Sequence, residues 1–600
     1  MKRTSAFLAV LLLIPPEPSY PSSTPNQTLL VLTHVAVIDV AGTQLNPDMT
    51  IVVSGTRIAE IGATKTVRIP PGAEVVDAEG KFLIPGLWDM HVHWYAKEYL
   101  PLFLANGVTG IRLMFGMPMH LQWRQEIEAG QLVGPRMAIA SPIIDGPKPF
   151  WPDSIAVATE AEGRSAVRRV KQNGADFVKV YTFLPRDAYF GVADEARKLG
   201  IPFEGHVPLS VTAEEASRAG QKSLEHLLGV LPACSLRSDD LDKAARADLL
   251  EDIETGKPVF EGPNYNKIRN LELKTFSSEK ANALFLTFAR NHTWQCPTLT
   301  TNRNVAYAND PSLRRDPRLK YIPRRLKASW ERSFEPEADS GYLPVTAEDF
   351  AFYQEEFRKQ LEVVGVMEKS GVGILAGTDA MVPFAFPGFS LHDELALLVQ
   401  AGLTPGEALQ TVTLNPARFL GKERDLGTIE KDRIADLVLL DANPLEDISN
   451  TKEIAGVVFD GRYLSKSSLD EMLAKIEVLA AKKSIADELF LTLIEKGVDV
   501  AIERYRHLRK TSSDDYDFGE GELDDLGFRL LGQKKPDEAI RILELNAEVH
   551  AQSWYVYDSL GEIYMRTGHR VRAIGNFRKS LKLNPANWNA ADKLKQLSRN

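Results

Sequence analysis

Cysteine is almost missing from this sequence: Cys234 and Cys296 are the only two in 600 residues. So few thiols exclude a disulfide-stapled scaffold, and a chain of this size has enough apolar core to do without one. The pair lacks the spacing of a metal site and reads as buried, inert thiols. Sequence alone does not say whether they pair. A basic excess is lacking too. Lys and Arg number 71 against 81 Asp and Glu, a net charge of −10, which gives nucleic-acid binding no footing. No apolar run reaches the ~20 residues that cross a bilayer. With 44% hydrophobic and 25% charged residues, the chain is neither disordered nor membrane-embedded.

What is present begins at the N-terminus. Lys2 and Arg3 precede an apolar run, Ala6 to Ile14, and a Pro/Ser-rich stretch, Pro15 to Pro25. This is the layout of a secretory signal peptide over residues 1–25, and the prolines exclude a continuing helix. The expected destination is secreted or periplasmic. No cysteine lies near the cleavage region, so a lipid anchor has no support.

Six hundred residues exceed one hydrophobic core, so three or four units are expected. Residues 26–85 carry β-rich segments, Leu29–Asp39, Thr50–Ile61 and Glu74–Asp77, bounded by Gly, Asn or Pro. From 86 to 420 strands alternate with helices, which predicts an α/β architecture, a (β/α)8 barrel with insertions. Its strand candidates are Gly107–Leu113, Ala175–Tyr181, Ile201–Val207, Gln221–His226 and Gly371–Thr378. Helical stretches such as Asp187–Leu199 and Thr212–Ala219 separate them. The stretch from Ser235 to Phe350 reads as a lid or mouth insertion. In 421–465, β character returns at Ala435–Leu440 and Gly456–Tyr463, and these strands are expected to join the N-terminal ones in a small β-sandwich. After a helical linker over 466–515, residues 516–600 form an all-α repeat region. Leu526-Gly527 recurs as Leu560-Gly561 and Ala539-Ile540 as Ala573-Ile574, the 34-residue period of tetratricopeptide hairpins. Such repeats bind a peptide, a protein partner or a second copy, or cover a surface of the catalytic domain.

The chemistry concentrates at predicted strand ends. His91 and His93 follow Ile84-Pro-Gly-Leu-Trp-Asp-Met. Residues two apart on a strand face the same side, so both imidazoles can meet one ion at the C-terminal mouth of a barrel. Lys179 sits in the apolar run Ala175-Asp-Phe-Val-Lys-Val-Tyr181, where an ammonium is costly unless neutralised or paired. His206 and His226 end the next two predicted strands, spaced by about one βα unit each. Asp379 closes the set in Leu375-Ala-Gly-Thr-Asp379. Each alone has an ordinary structural reading: a solvent-seeking lysine, a satisfied core histidine, a helix-capping aspartate. Three strand-end candidates in successive units make that reading poor. Tyr181 shares the face of Lys179 and is a candidate for substrate binding. His392, soon after Asp379, is a second. His120 and His292 look dispensable.

These motifs resemble the metal-dependent amidohydrolase superfamily, in particular its imidazolonepropionase-like branch with bacterial metallo-dipeptidases and amidases. The resemblance covers roughly residues 29 to 465, and includes Ala435-Asp-Leu-Val-Leu439 and Leu403-Thr-Pro-Gly-Glu-Ala-Leu409. It implies a distorted barrel beside a β-sandwich and two divalent metal ions, with zinc favoured by the His-rich donor set. His91, His93 and Asp379 would hold the more buried ion, and His206 and His226 the second. Lys179, carboxylated by CO2, would bridge them. Metal-activated hydroxide would attack a carbonyl, with Asp379 shuttling the proton to the leaving amine. The implied substrate is a small molecule, a dipeptide or N-acyl amino acid. Two alternatives are lactone or cyclic-amide hydrolysis on the same metals, and an inert barrel serving as a binding scaffold. The lysine strand continues as Thr182-Phe-Leu-Pro-Arg186 where relatives often carry a Gly-rich loop, and loops set specificity on this fold.

Overall fold

Strand Leu29–Asp39 is the hub of an eight-stranded mixed sheet, in a computed structural model that describes residues 29–255, 270–333 and 346–599. The expected signal peptide lies outside those residues. The expected strand over Thr50–Ile61 is instead a hairpin, Gln44–Ser54 and Arg57–Ala63, because Gly55 takes a left-handed φ of 59° and turns the chain. Leu29–Asp39 also pairs in parallel with Glu74–Asp77 and Phe82–Pro85. Phe82–Pro85 in turn pairs antiparallel with Leu437–Leu440, so the two flanks of the chain form one continuous sheet. Alternation divides that last strand's side chains. Val438 and Leu440 enter the barrel core, while Leu437 and Leu439 join Leu32, Val53 and Leu83 in a separate apolar cluster.

The barrel begins at Leu87–Val92 and runs in parallel through Val108–Leu113, Arg136–Asp145, Phe177–Val180, Phe203–Gly205, Ser223–Glu225 and Trp294–Cys296. Two of these, Arg136–Asp145 and Trp294–Cys296, are additions to the strands expected from the sequence. The eighth position is the segment 372–380, which forms bridges rather than a ladder: Gln295 with Ile374 on one side, Val92 with Ala380 on the other. Gly371, Gly373 and Gly377 explain why this stretch stays irregular, since glycine weakens a strand interior. Gly377 is required for another reason. A Cβ there would lie 2.6 Å from Cys296 Sγ and 2.7 Å from His91 Cβ.

The outer helices start where the sequence offers caps. Thr212 and Glu215 exchange hydrogen bonds with each other's backbone N–H at the head of Ala213–Arg218, an arrangement worth about 1 kcal/mol. Cys234 and Cys296 are both buried and free.

The region 466–515 divides in two. Helix Lys466–Ala481 sends Leu469, Ile476 and Ala480 into the barrel core, whereas Ile485–Lys496 and Val498–Thr511 belong to the C-terminal core. Two helical hairpins follow, Glu520–Gly532 with Pro536–Val549 and Trp554–Arg566 with Arg570–Leu583, the second displaced from the first by 34 residues. Gly527 and Gly561 occupy equivalent positions. A Cβ on either would strike the facing helix, at Leu543 (2.7 Å) or Phe577 (2.8 Å), so glycine sets how closely each hairpin closes.

Candidate metal centre

The six sequence-predicted residues converge at the C-terminal mouth of the barrel. His91 Nε2 lies 3.3 Å from His93 Nε2 and 3.5 Å from Asp379 Oδ1, and His93 Nε2 lies 3.2 Å from the same oxygen. The rings of His91 and His226 are 4.5 Å apart, and those of His206 and His226 5.0 Å. Donor atoms of His91, His93 and Asp379 all lie within 4.8 Å of one another, as an ion would require. Asp379 and His226 carry left-handed φ angles of 56° and 62°. Such strain in non-glycine residues persists only where the surroundings impose it.

Those surroundings are specific. Asp89 accepts from Thr378 N–H (3.0 Å), Thr378 Oγ1 (2.6 Å) and His91 N–H (3.2 Å), which ties the first strand to the segment carrying Asp379. Glu225 Oε2 lies 2.7 Å from His91 Nδ1. A carboxylate there accepts the Nδ1 proton and leaves Nε2 free for an ion. Thr182 Oγ1 is 2.8 Å from His206 Nδ1, and Thr298 Oγ1 is 2.7 Å from His226 Nδ1. Beneath them Arg112, fully buried, donates to Glu204 (2.7 Å), Ser223 (3.0 Å) and Glu225 (3.0 Å).

Lys179 is fully buried in the fourth strand, and its Nζ makes no hydrogen bond. Burial is the main force pushing its pKa down to about 8, against the pull of Glu225 and Asp379. Burial, together with Lys179, also holds His91 and His206 well below the usual imidazole range, and His226 at about 4. Neutral imidazoles and an uncharged lysine are the forms a metal site needs. An orphaned buried amine beside four imidazoles and a carboxylate fits a divalent-metal site.

Tyr181 stacks on His206 at 4.0 Å and accepts a hydrogen bond from Trp151 Nε1, on the rim of the same cavity. His392 does not reach it. It is buried between Thr451 Oγ1 (3.0 Å) and the Asn106 carbonyl (3.1 Å), tying a barrel helix to the flanking segment. The substrate-binding expectation for His392 is therefore corrected to a core role. His120 is likewise a buried structural residue, with Nε2 2.8 Å from the Trp94 carbonyl. Sequence reading passed over Asp89, Arg112, Glu204 and Glu225. The usable signal was the arginine inside Gly110-Ile-Arg-Leu113, since a buried guanidinium demands carboxylate partners on neighbouring strands.

Residues 326–464 match the amidohydrolase family, a stretch that holds Asp379 but none of the other five candidate ligands. The chain is 34% identical to the adenine deaminase of Paracoccus denitrificans over 71 residues, 12% of each protein. It is 31% identical to the imidazolonepropionase of Shouchella clausii over 122 residues, 20% of this chain and 25% of that one. The chain thus spans a quarter or less of the length of these curated relatives. Among solved structures, a bottromycin amidohydrolase superposes with a TM-score of 0.59 at 24% identity, over 76% of this chain and 91% of that one. A putative prolidase from Bifidobacterium longum gives 0.51 at 22%, over 75% and 100%. The likeness is one of fold: an amidohydrolase-type barrel.

Proposed function

We propose that this protein is a metal-dependent hydrolase that cleaves the amide bond of a peptide-like small molecule. The observation that carries the proposal is the convergence of four histidines, Asp379 and a Lys179 Nζ without a hydrogen bond, with His93, His206, His226 and Asp379 lining one cavity and His91 and Lys179 buried beneath it. His91, His93 and Asp379 would hold one ion and His206 and His226 a second, with Lys179, once carboxylated, as a further ligand. Two divalent ions, zinc by donor type, would supply Lewis acidity and an acidified water there. The protein's own residues do the rest. Glu225 fixes the His91 tautomer, and Asp89 fixes the loop that presents Asp379. Asp379 carries the proton from water to the leaving amine. Tyr181 orients substrate at the rim. Amide-cleaving enzymes among the proteins of similar fold, such as a Xaa-Pro dipeptidase, support the reaction class.

The test is amine release from a panel of dipeptides and N-acyl amino acids by metal-loaded and chelated protein. Release that chelation abolishes is expected. No release across the panel, with turnover of lactones on the same protein, replaces this reading by lactone hydrolysis.

The charged-then-apolar N-terminal pattern supports export to the periplasm or exterior. Mass analysis of the mature protein is expected to show the first ~25 residues removed.

A further inference from the structure

The metal centre is the floor of a cavity of about 1630 Å3, and the opposite wall comes from the C-terminal helical hairpins. Phe528, Trp554 and Tyr555 of the hairpins and Trp588 of the terminal helix that follows them, Trp588–Arg599, line it together with His93, His206 and Asp379. The hairpins and the terminal helix are fastened over the mouth at separate points. Trp554 Nε1 donates to Gln122 on a barrel helix, Arg169 pairs with Asp592 at 3.1 Å, and Arg325 pairs with Asp525. Pockets that enclose a drug-sized ligand span roughly 300–1000 Å3. This chamber is larger, and a dipeptide at the metals would leave the helical wall untouched. Charge is one-sided as well. Among the described residues the lining holds Glu98, Asp153, Asp517, Glu520 and Asp558, besides Glu562, which pairs with Arg566 and Lys593, but only Lys97 and Arg325 as lysine or arginine. Arg325 is already spoken for by Asp525.

We infer that the helical hairpins are the distal wall of the substrate chamber, and that the substrate is a peptide longer than a dipeptide whose far end is aromatic and cationic. The inference rests on the hydrolase reading and adds the substrate's length and charge. Continuity of the wall with the metal floor selects a substrate rather than a partner protein. Aromatic rings of Trp554, Tyr555 and Trp588 with carboxylates interleaved suit an extended chain bearing a ring and an amine.

The test is calorimetric binding to the full-length protein. The probes are an uncleavable hexapeptide with phenylalanine and lysine at its far end, its glutamate-for-lysine counterpart, and the uncleavable dipeptide core. The lysine hexapeptide is expected to bind at least about tenfold more tightly than either of the others. Trp554→Ala, or Glu520→Gln, which changes charge without shape, is expected to weaken it severalfold. Equal affinity for hexapeptide and dipeptide, or unchanged hexapeptide affinity in both variants, overturns the proposal. Amine release from a cleavable dipeptide is followed separately on the wild type. Its failure removes the hydrolase reading and leaves the binding comparison to decide the wall.

Discussion

Glu225 reaches from the sixth barrel strand to His91 on the first, 2.7 Å from Oε2 to Nδ1, with both side chains wholly buried. The same carboxylate takes a donor from Arg112 at 3.0 Å, so one anion serves a guanidinium and a candidate ligand histidine together. Glu225→Gln leaves Arg112 with only Glu204 as charge partner and gives His91 a weaker acceptor. Metal affinity is expected to fall about 10–100-fold, with roughly 3 kcal/mol lost in stability. Chelator competition and denaturant unfolding check the two separately. Unchanged metal affinity would discard the tautomer-fixing role.

Lys179→Ala removes the proposed bridge from a site whose other donors divide between two ions. Metal analysis of the purified variant is expected to find fewer ions per chain than in wild type. Wild-type protein reconstituted without bicarbonate should show the same deficit. A full complement in the variant sinks the bridging lysine.

Asp524 sits in the first repeat hairpin, buried, with one oxygen accepting from Tyr555 Oη at 2.9 Å and the other without a partner. Burial pushes its pKa up to about 6. A raised carboxyl binds its proton more tightly when folded, so its contribution is fully present below about pH 4 and is lost as pH rises through about 6. Asp524→Asn should remove that dependence. The stability difference between variant and wild type is expected to grow in the variant's favour from pH 4 to pH 7, by on the order of 3 kcal/mol. A pH-independent difference would contradict the assignment.

Gly377→Ala places a methyl against Cys296 Sγ and the His91 Cβ. Contacts under 3.0 Å, one of them 2.8 Å to the His91 backbone nitrogen, force the close-packed barrel to move at a candidate ligand. A cost of about 1–3 kcal/mol is expected, with weakened metal binding. Thermal melting and metal content together check it, and an unperturbed melt would show that the seam yields easily.

The six ligand candidates were legible because five lie at or near strand ends and Asp379 near the end of the bridged segment 372–380, and these ends share one mouth on this fold. The supporting charges were not. Glu225 and Glu204 lie beside ligands already singled out, and Arg112 inside an apolar strand, so each passed for an ordinary neighbour until the strands were seen side by side. Arg136–Asp145 escaped because Ser141 and Pro142 interrupt its apolar run. The 34-residue period located the hairpins. It carried nothing about their seat over the mouth, which depends on surface pairs such as Trp554 with Gln122, and these have no local signature.

The sheet that joins the two flanks sets a schedule for the chain. Lys81 and Asp441, 2.5 Å apart across that sheet, are separated by 360 residues. At about 5–20 residues per second, strand Phe82–Pro85 waits roughly 20–70 s after synthesis before Leu437–Leu440 exists to cover its edge. For that interval the first-made strands are an open edge, the kind that pairs with other chains unless it is covered.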